Sequence, residues 1–105
     1  MATVINIKKT KDKDFVYIGR KNIKYGFFYN SKWSNPFVIG INGNRQECLK
    51  QYADLLLRRV MVDDNFKKEL MSLDNKVLGC WCKPDDCHGD VIVELIELLK
   101  GQNNG

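Results

Sequence analysis

The chain has 105 residues, 44% of them hydrophobic and 29% charged, with eight glycines and two prolines; this excludes a fibrous repeat, wholesale disorder and a pair of full-sized domains. Seventeen Lys and Arg against thirteen Asp and Glu leave a net charge of +4, a mild preference for anionic partners and far from the charge of a nucleic-acid-binding arm. With no apolar run near the ~18 residues of a membrane span and no secretion signal in residues 1–10, the expectation is a cytoplasmic protein with no membrane partner: one α/β domain over residues 1–101 and a frayed tail at 102–105.

Residues 3–7 and 15–18 are short runs of β-branched and aromatic residues, predicted strands separated by a polar stretch at 8–14. The basic surplus gathers nearby. Residues 8–33 hold Lys8, Lys9, Lys11, Lys13, Arg20, Lys21, Lys24 and Lys32 against Asp12 and Asp14, a pattern whose plainest meaning is a solvated surface. Residues 19–34 lack a period and read as a loop or irregular hairpin, after which Pro36 pushes Asn35 into an extended conformation. Asn44 with Glu47 makes a capping-box pattern, and Cys48, Leu49, Tyr52, Ala53, Leu56 and Val60 recur at helical spacing, predicting a helix over about 45–61. Asp63 or Asp64 starts a second, shorter helix that buries Phe66, Leu70 and Leu73 and is followed by an Asp74-Asn75 turn. Residues 77–82 have the unalternating apolar pattern of a strand buried on both faces. From His88 a mostly buried helix runs to Gly101. This order predicts a small α/β sheet, at least partly parallel, packed by about three helices.

The densest chemistry lies in residues 79–90, where three of the four cysteines and the only histidine fall together. As zinc ligands, Cys80, Cys82, Cys87 and His88 have the wrong spacing for a knuckle, so no metal site is assigned, and no cofactor is indicated. Cys80 and Cys82 read as small core residues, reduced in a cytoplasmic chain. Cys87 and His88, at a helix start, are the candidate catalytic residues: the helix favours a thiolate and the imidazole titrates near neutrality, while Asp85 and Asp86 oppose the thiolate. Gly19-Arg20, at a strand end, is a candidate anion grip because the guanidinium fork matches phosphate or carboxylate. Residues 31–37 bring Lys32, Trp33 and Asn35 into one loop. Trp33 there either stacks on a ring of the ligand or, with Phe37, plugs the sheet end. Arg45, a cation in the first turn of a helix, makes sense beside a bound anion.

VYIGR at 16–20, SKWSNPF at 31–37, GNRQE at 43–47 and LGCWCKPDDCHGD at 78–90 together resemble the domain-of-unknown-function family DUF4326 of bacteria and their phages. The resemblance runs from about Val16 to Leu99; it departs at Ser34, where the family more often has glycine, and in the insert at 21–30. It implies an α/β fold and a shared pattern of Gly19, Arg20, Lys32, Trp33, Asn35, Arg45, Cys87 and His88, with no activity attached. In parallel sheets ligands bind beyond the carboxyl ends of the strands, so the loops after Ile18 and Cys82 are expected to meet at one pocket. The functional expectation is a domain binding a nucleotide or similar phosphorylated metabolite, with transfer or hydrolysis at a glycosidic or phosphate bond open. The alternative is a non-enzymatic protein that binds a host protein or single-stranded nucleic acid through the Lys- and Tyr-rich residues 20–33.

Overall fold

Three short strands pair in parallel: β1 (Thr3–Asn6) and β2 (Val16–Tyr17) flank the central β3 (Val77–Cys80), giving the order β1-β3-β2. The computed structural model describes residues 1–8, 14–83 and 85–103; Lys9, Lys11, Asp12 and Lys13 of the basic stretch, and Pro84, lie outside them. In register, Thr3 faces Val77 and Asn6 faces Cys80 on one side, while Val16 and Tyr17 face Leu78 and Gly79 on the other. The architecture is therefore α/β with a fully parallel sheet among the described strands.

All three strands are shorter than the runs at 3–7, 15–18 and 77–82. The side-chain amide of Asn6 donates to the carbonyls of Trp81 (3.2 Å) and Lys83 (2.7 Å), which turns the chain out of the sheet after Cys80 and leaves Cys82 beyond the strand. Beyond Tyr17 the β2 ladder continues only as the single bond from Ile18 N to Gly79 O.

The helices α1 (Arg45–Val62), α2 (Asp64–Met71) and α3 (His88–Asn103) begin where local chemistry dictates. Asn44 Oδ1 accepts from Glu47 N at 2.9 Å and Glu47 Oε1 accepts from Asn44 N at 3.0 Å, the reciprocal capping box read from the sequence. Asp63 closes α1 and also caps α2, its carboxylate accepting from Asn65 N and Phe66 N. Helix α3 passes through Gly101 to Asn103 instead of stopping there, because glycine costs a helix only about 1 kcal/mol and Gly101 does not take a left-handed conformation. Among the described residues, no helix is long and apolar enough to cross a membrane.

Cys48, Tyr52, Leu56 and Val60 form the buried stripe of α1, and the last three meet Phe66 and Leu70 of α2, Ile92, Ile96 and Leu99 of α3, and Leu78 of β3 in one core. Among the described residues, no α-helix packs on the opposite face of the sheet. Aromatic rings cover it: Tyr17 stacks on Phe27 with centroids 3.7 Å apart, and Phe15, Tyr25 and Trp81 close around them. A side chain at Gly79 would place its Cβ 2.4 Å from the Phe15 ring and 2.7 Å from Ile7 Cγ2, so the aromatic layer can lie on the central strand only over glycine. Gly79→Ala is accordingly expected to destabilise the fold by about 1–3 kcal/mol, the usual cost of overpacking, read as a lowered melting temperature in thermal denaturation.

Candidate functional site

Because all three strands run the same way, their carboxyl ends share one edge, and the segments that follow β2 and β3 emerge there side by side. A cleft of about 400 Å³ opens at this edge. Gly19 and Arg20 enter it from the end of β2, and Asn35, Phe37 and Ile39 from the loop before α1. Arg45, Cys48 and Leu49 come from the start of α1, and Cys80, Trp81, Cys82, Asp86, Cys87 and His88 from β3 and its exit. All four cysteines and the sole histidine thus line one cavity.

Two buried hydrogen bonds hold this edge together. His88 Nε2 donates to the carbonyl of Ile18 at 2.6 Å, tying the first residue of α3 to the end of β2. That bond commits the neutral ring to the Nε2–H tautomer and leaves Nδ1 as its acceptor. Tyr52, with its ring edge-on to His88 at 5.2 Å, donates its hydroxyl to the carbonyl of Trp33 at 2.6 Å. On the aromatic side, Trp81 Nε1 donates to the Tyr17 hydroxyl, which donates to the carbonyl of Arg20. A Cβ on Gly19 would lie 2.5 Å from that hydroxyl, so the close approach that glycine allows here is by the Tyr17 side chain.

Both arginines are anchored by their own chain. Arg20 Nε and Nη2 donate to the carbonyls of Asn35 and Phe37, each at 2.8 Å, which fastens the Asn-Pro-Phe loop over the cleft. Arg45 Nη1 donates to the carbonyl of Asp86 at 2.8 Å, and its Nη2 lies 4.0 Å from the Asp85 carboxylate. These contacts account for a cation at the start of α1 and still leave each guanidinium further N–H donors.

Lys32 and Trp33 stand outside the cleft. Trp33 is buried, packed at 5.3 Å on Phe66, and is the plug of the two sequence readings. Lys32 pairs with Glu69 on the surface above it. The aromatic surfaces in the cleft belong to Phe37 and Trp81 instead.

Cys87 and His88 do not pair: adjacent residues at a helix start diverge, and the Cys87 sulfur faces Cys80 at 3.5 Å while the imidazole faces Ile18. The Cys87 thiol hydrogen bond pulls the Cys80 pKa down to about 6, against burial and with help from the backbone N–H groups of Lys83 and Cys82. The same hydrogen bond, then burial, pushes Cys87 upward. Of the pair, Cys80 is therefore the sulfur that ionises more readily, and it is at the same time the buried core residue that the sequence reading made it. The signal for it was positional, since the last residue of a central parallel strand stands at the ligand edge. Among the described residues, no group of three or more His, Cys, Asp or Glu side chains is placed to hold a metal ion.

Burial holds the His88 pKa below its ordinary 6.5; the Ile18 hydrogen bond opposes this and the Arg20 charge adds to it. An unfolded chain then binds this proton more readily than the folded one. Stability should fall as pH drops below 6.5 toward the depressed folded value, and level off once both states are protonated. Melting temperatures measured across pH 5–8 should show this fall below pH 6.5 in the native chain, and the fall should be smaller in His88→Asn.

Comparison with known proteins adds a lineage to this geometry. An uncharacterized 12.4 kDa protein from the nrdA-td intergenic region of Enterobacteria phage T4 is 33% identical over 78 residues, covering 74% of this chain and 68% of that protein. No solved structure matches. The domain of unknown function DUF4326 matches residues 5–98, which takes in the end of β1, all of β2 and β3, the cleft and most of α3, and the chain belongs to this family.

Proposed function

We propose that this chain binds a phosphate-bearing, nucleotide-like small molecule in the cleft at the carboxyl edge of the sheet. The observation that carries the reading is the convergence of Arg20 and Arg45, from separate chain segments, on one cavity that also holds the start of α3. Two guanidinium groups and a helix N-terminus suit a phosphate, and their remaining N–H donors match its oxygens. Phe37 and Trp81 offer flat apolar surface for a ring, and Asn35 a side-chain amide. The cleft volume falls in the usual range of small-molecule sites, about 300–1,000 Å³. Free thiols suit a reducing cytoplasm.

In this reading Arg20 both positions the loop and grips the ligand, so its removal disturbs two things at once. Arg45 is the cleaner probe. Titration calorimetry with nucleoside monophosphates should detect binding to the native chain, and Arg45→Ala should weaken it by about 1.5–3 kcal/mol, the range for a charge-assisted hydrogen bond. Lys32→Ala, outside the cleft, should leave it unchanged. Absence of binding to any nucleoside monophosphate, or equal losses from Arg45→Ala and Lys32→Ala, would contradict the assignment.

A second surface supports the interaction role. Ile23, Phe28 and Tyr29 are 61%, 61% and 84% exposed, and Lys8 and Lys24 lie over the Tyr25 ring. Lysines interleaved with open aromatic rings suit single-stranded nucleic acid. Binding of an oligonucleotide that Tyr29→Ala removes and Arg45→Ala spares would move the function to this face.

A further inference from the structure

We propose that Cys80 and Cys87 are a thiol–disulfide exchange site that forms a reversible disulfide in the wall of the cleft. Their sulfurs lie 3.5 Å apart, and both residues line the cavity although each is only 1% exposed. A disulfide needs about 2.05 Å, so each sulfur has to move by less than about 1 Å. The two residues are held by different elements. Cys80 ends the central strand, and Cys87 immediately precedes α3, with its N–H bound to the Asp90 carboxylate at 3.1 Å. Lys83, between the two cysteines, pairs with Asp90 of α3 at 2.5 Å, which ties the connecting segment to the helix. This proposal stands on the thiol geometry and does not depend on which ligand the cleft takes.

The oxidant is a low-molecular-weight disulfide. The Cys80 thiolate attacks one of its sulfurs, forming a mixed disulfide and releasing one small thiolate. That thiolate takes the proton of Cys87, whose sulfur then attacks the Cys80 sulfur, closing the protein disulfide and releasing the second small thiolate. Two protein thiols are oxidised and one small disulfide is reduced to two thiols. Cys80 is the attacking sulfur because its thiolate is stabilised by the Cys87 S–H and by the backbone N–H groups of Cys82 and Lys83. In a cytoplasmic protein, disulfides of this kind are transient ones that sense or exchange redox equivalents.

The test incubates the native full-length chain with oxidised glutathione, unfolds it in acid, alkylates the remaining thiols and measures intact mass. Cleavage with chymotrypsin and an Asp-specific protease, after Trp81 and before Asp85, then separates Cys80, Cys82 and Cys87 onto different peptides. The expected result is loss of two hydrogens, a cross-link joining the Cys80 and Cys87 peptides, alkylated Cys48 and Cys82, and full reversal by dithiothreitol. The same cross-link should form in Cys82→Ser, which keeps the pair intact. A chain with all four thiols alkylated, a cross-link to Cys82 or Cys48, or a lasting glutathione adduct on Cys80 or Cys87 would overturn the proposal.

Discussion

The hydrogen bond from His88 Nε2 to the carbonyl of Ile18 joins residues seventy positions apart and fixes where the cleft can be. Parallel pairing of β2 with β3 brings the two exits to one edge, but β2 contributes only two paired residues. So short a strand needs an anchor at its end. The buried imidazole supplies it, docking α3 on the sheet at the point where Gly19 and Arg20 turn into the cleft. The depressed histidine pKa belongs to that role: a neutral ring donating one proton to a carbonyl can be buried, while a charged one would bear the full desolvation cost.

A consequence is that the same groups build the site and face its interior. Arg20 holds the backbone of residues 35–37, Arg45 holds Asp86, and Gln46 reaches the Asp86 carboxylate at 3.1 Å. The loops are thereby fastened before any ligand arrives, which reduces the ordering a ligand has to impose. Asp85, beside Arg45, and Asp86, in the cleft wall, temper the positive charge of the two arginines. The Cys80–Cys87 pair places two thiols in a wall that also carries Arg20, Arg45, Asp86 and His88.

Much of this fold was legible in the chain. The Asn44–Glu47 capping box, the four-residue spacing of Cys48, Tyr52, Leu56 and Val60, and the Asp63 cap each follow from local chemistry, and the structure has them where the pattern put them. The exits of the strands were less so. Whether residues 81–82 continue β3 depends on Asn6, more than seventy positions away, drawing the carbonyls of Trp81 and Lys83 out of line, and no local propensity encodes that. The site was legible as a set of segments, because glycine, arginine and cysteine at strand ends and helix starts are few. Its internal roles were not: Trp33 and Phe37 share one loop, and only tertiary packing on Phe66 decides that Trp33 fills the core while Phe37 reaches the cleft. Likewise the division of labour between Cys80 and Cys87 depends on a sulfur–sulfur contact that sequence spacing does not reveal.

The account turns on the carboxyl edge of the sheet being where a phosphate-bearing ligand sits, and amide chemical-shift mapping by NMR with a nucleoside monophosphate tests this most directly. The account predicts shifts confined to the amides of Gly19, Arg20, Asn35, Phe37, Arg45 and residues 80–88, with Lys32 and the face carrying Phe28 and Tyr29 unmoved. Shifts concentrated on residues 23–29, or a spectrum unchanged at saturating nucleotide, would contradict it.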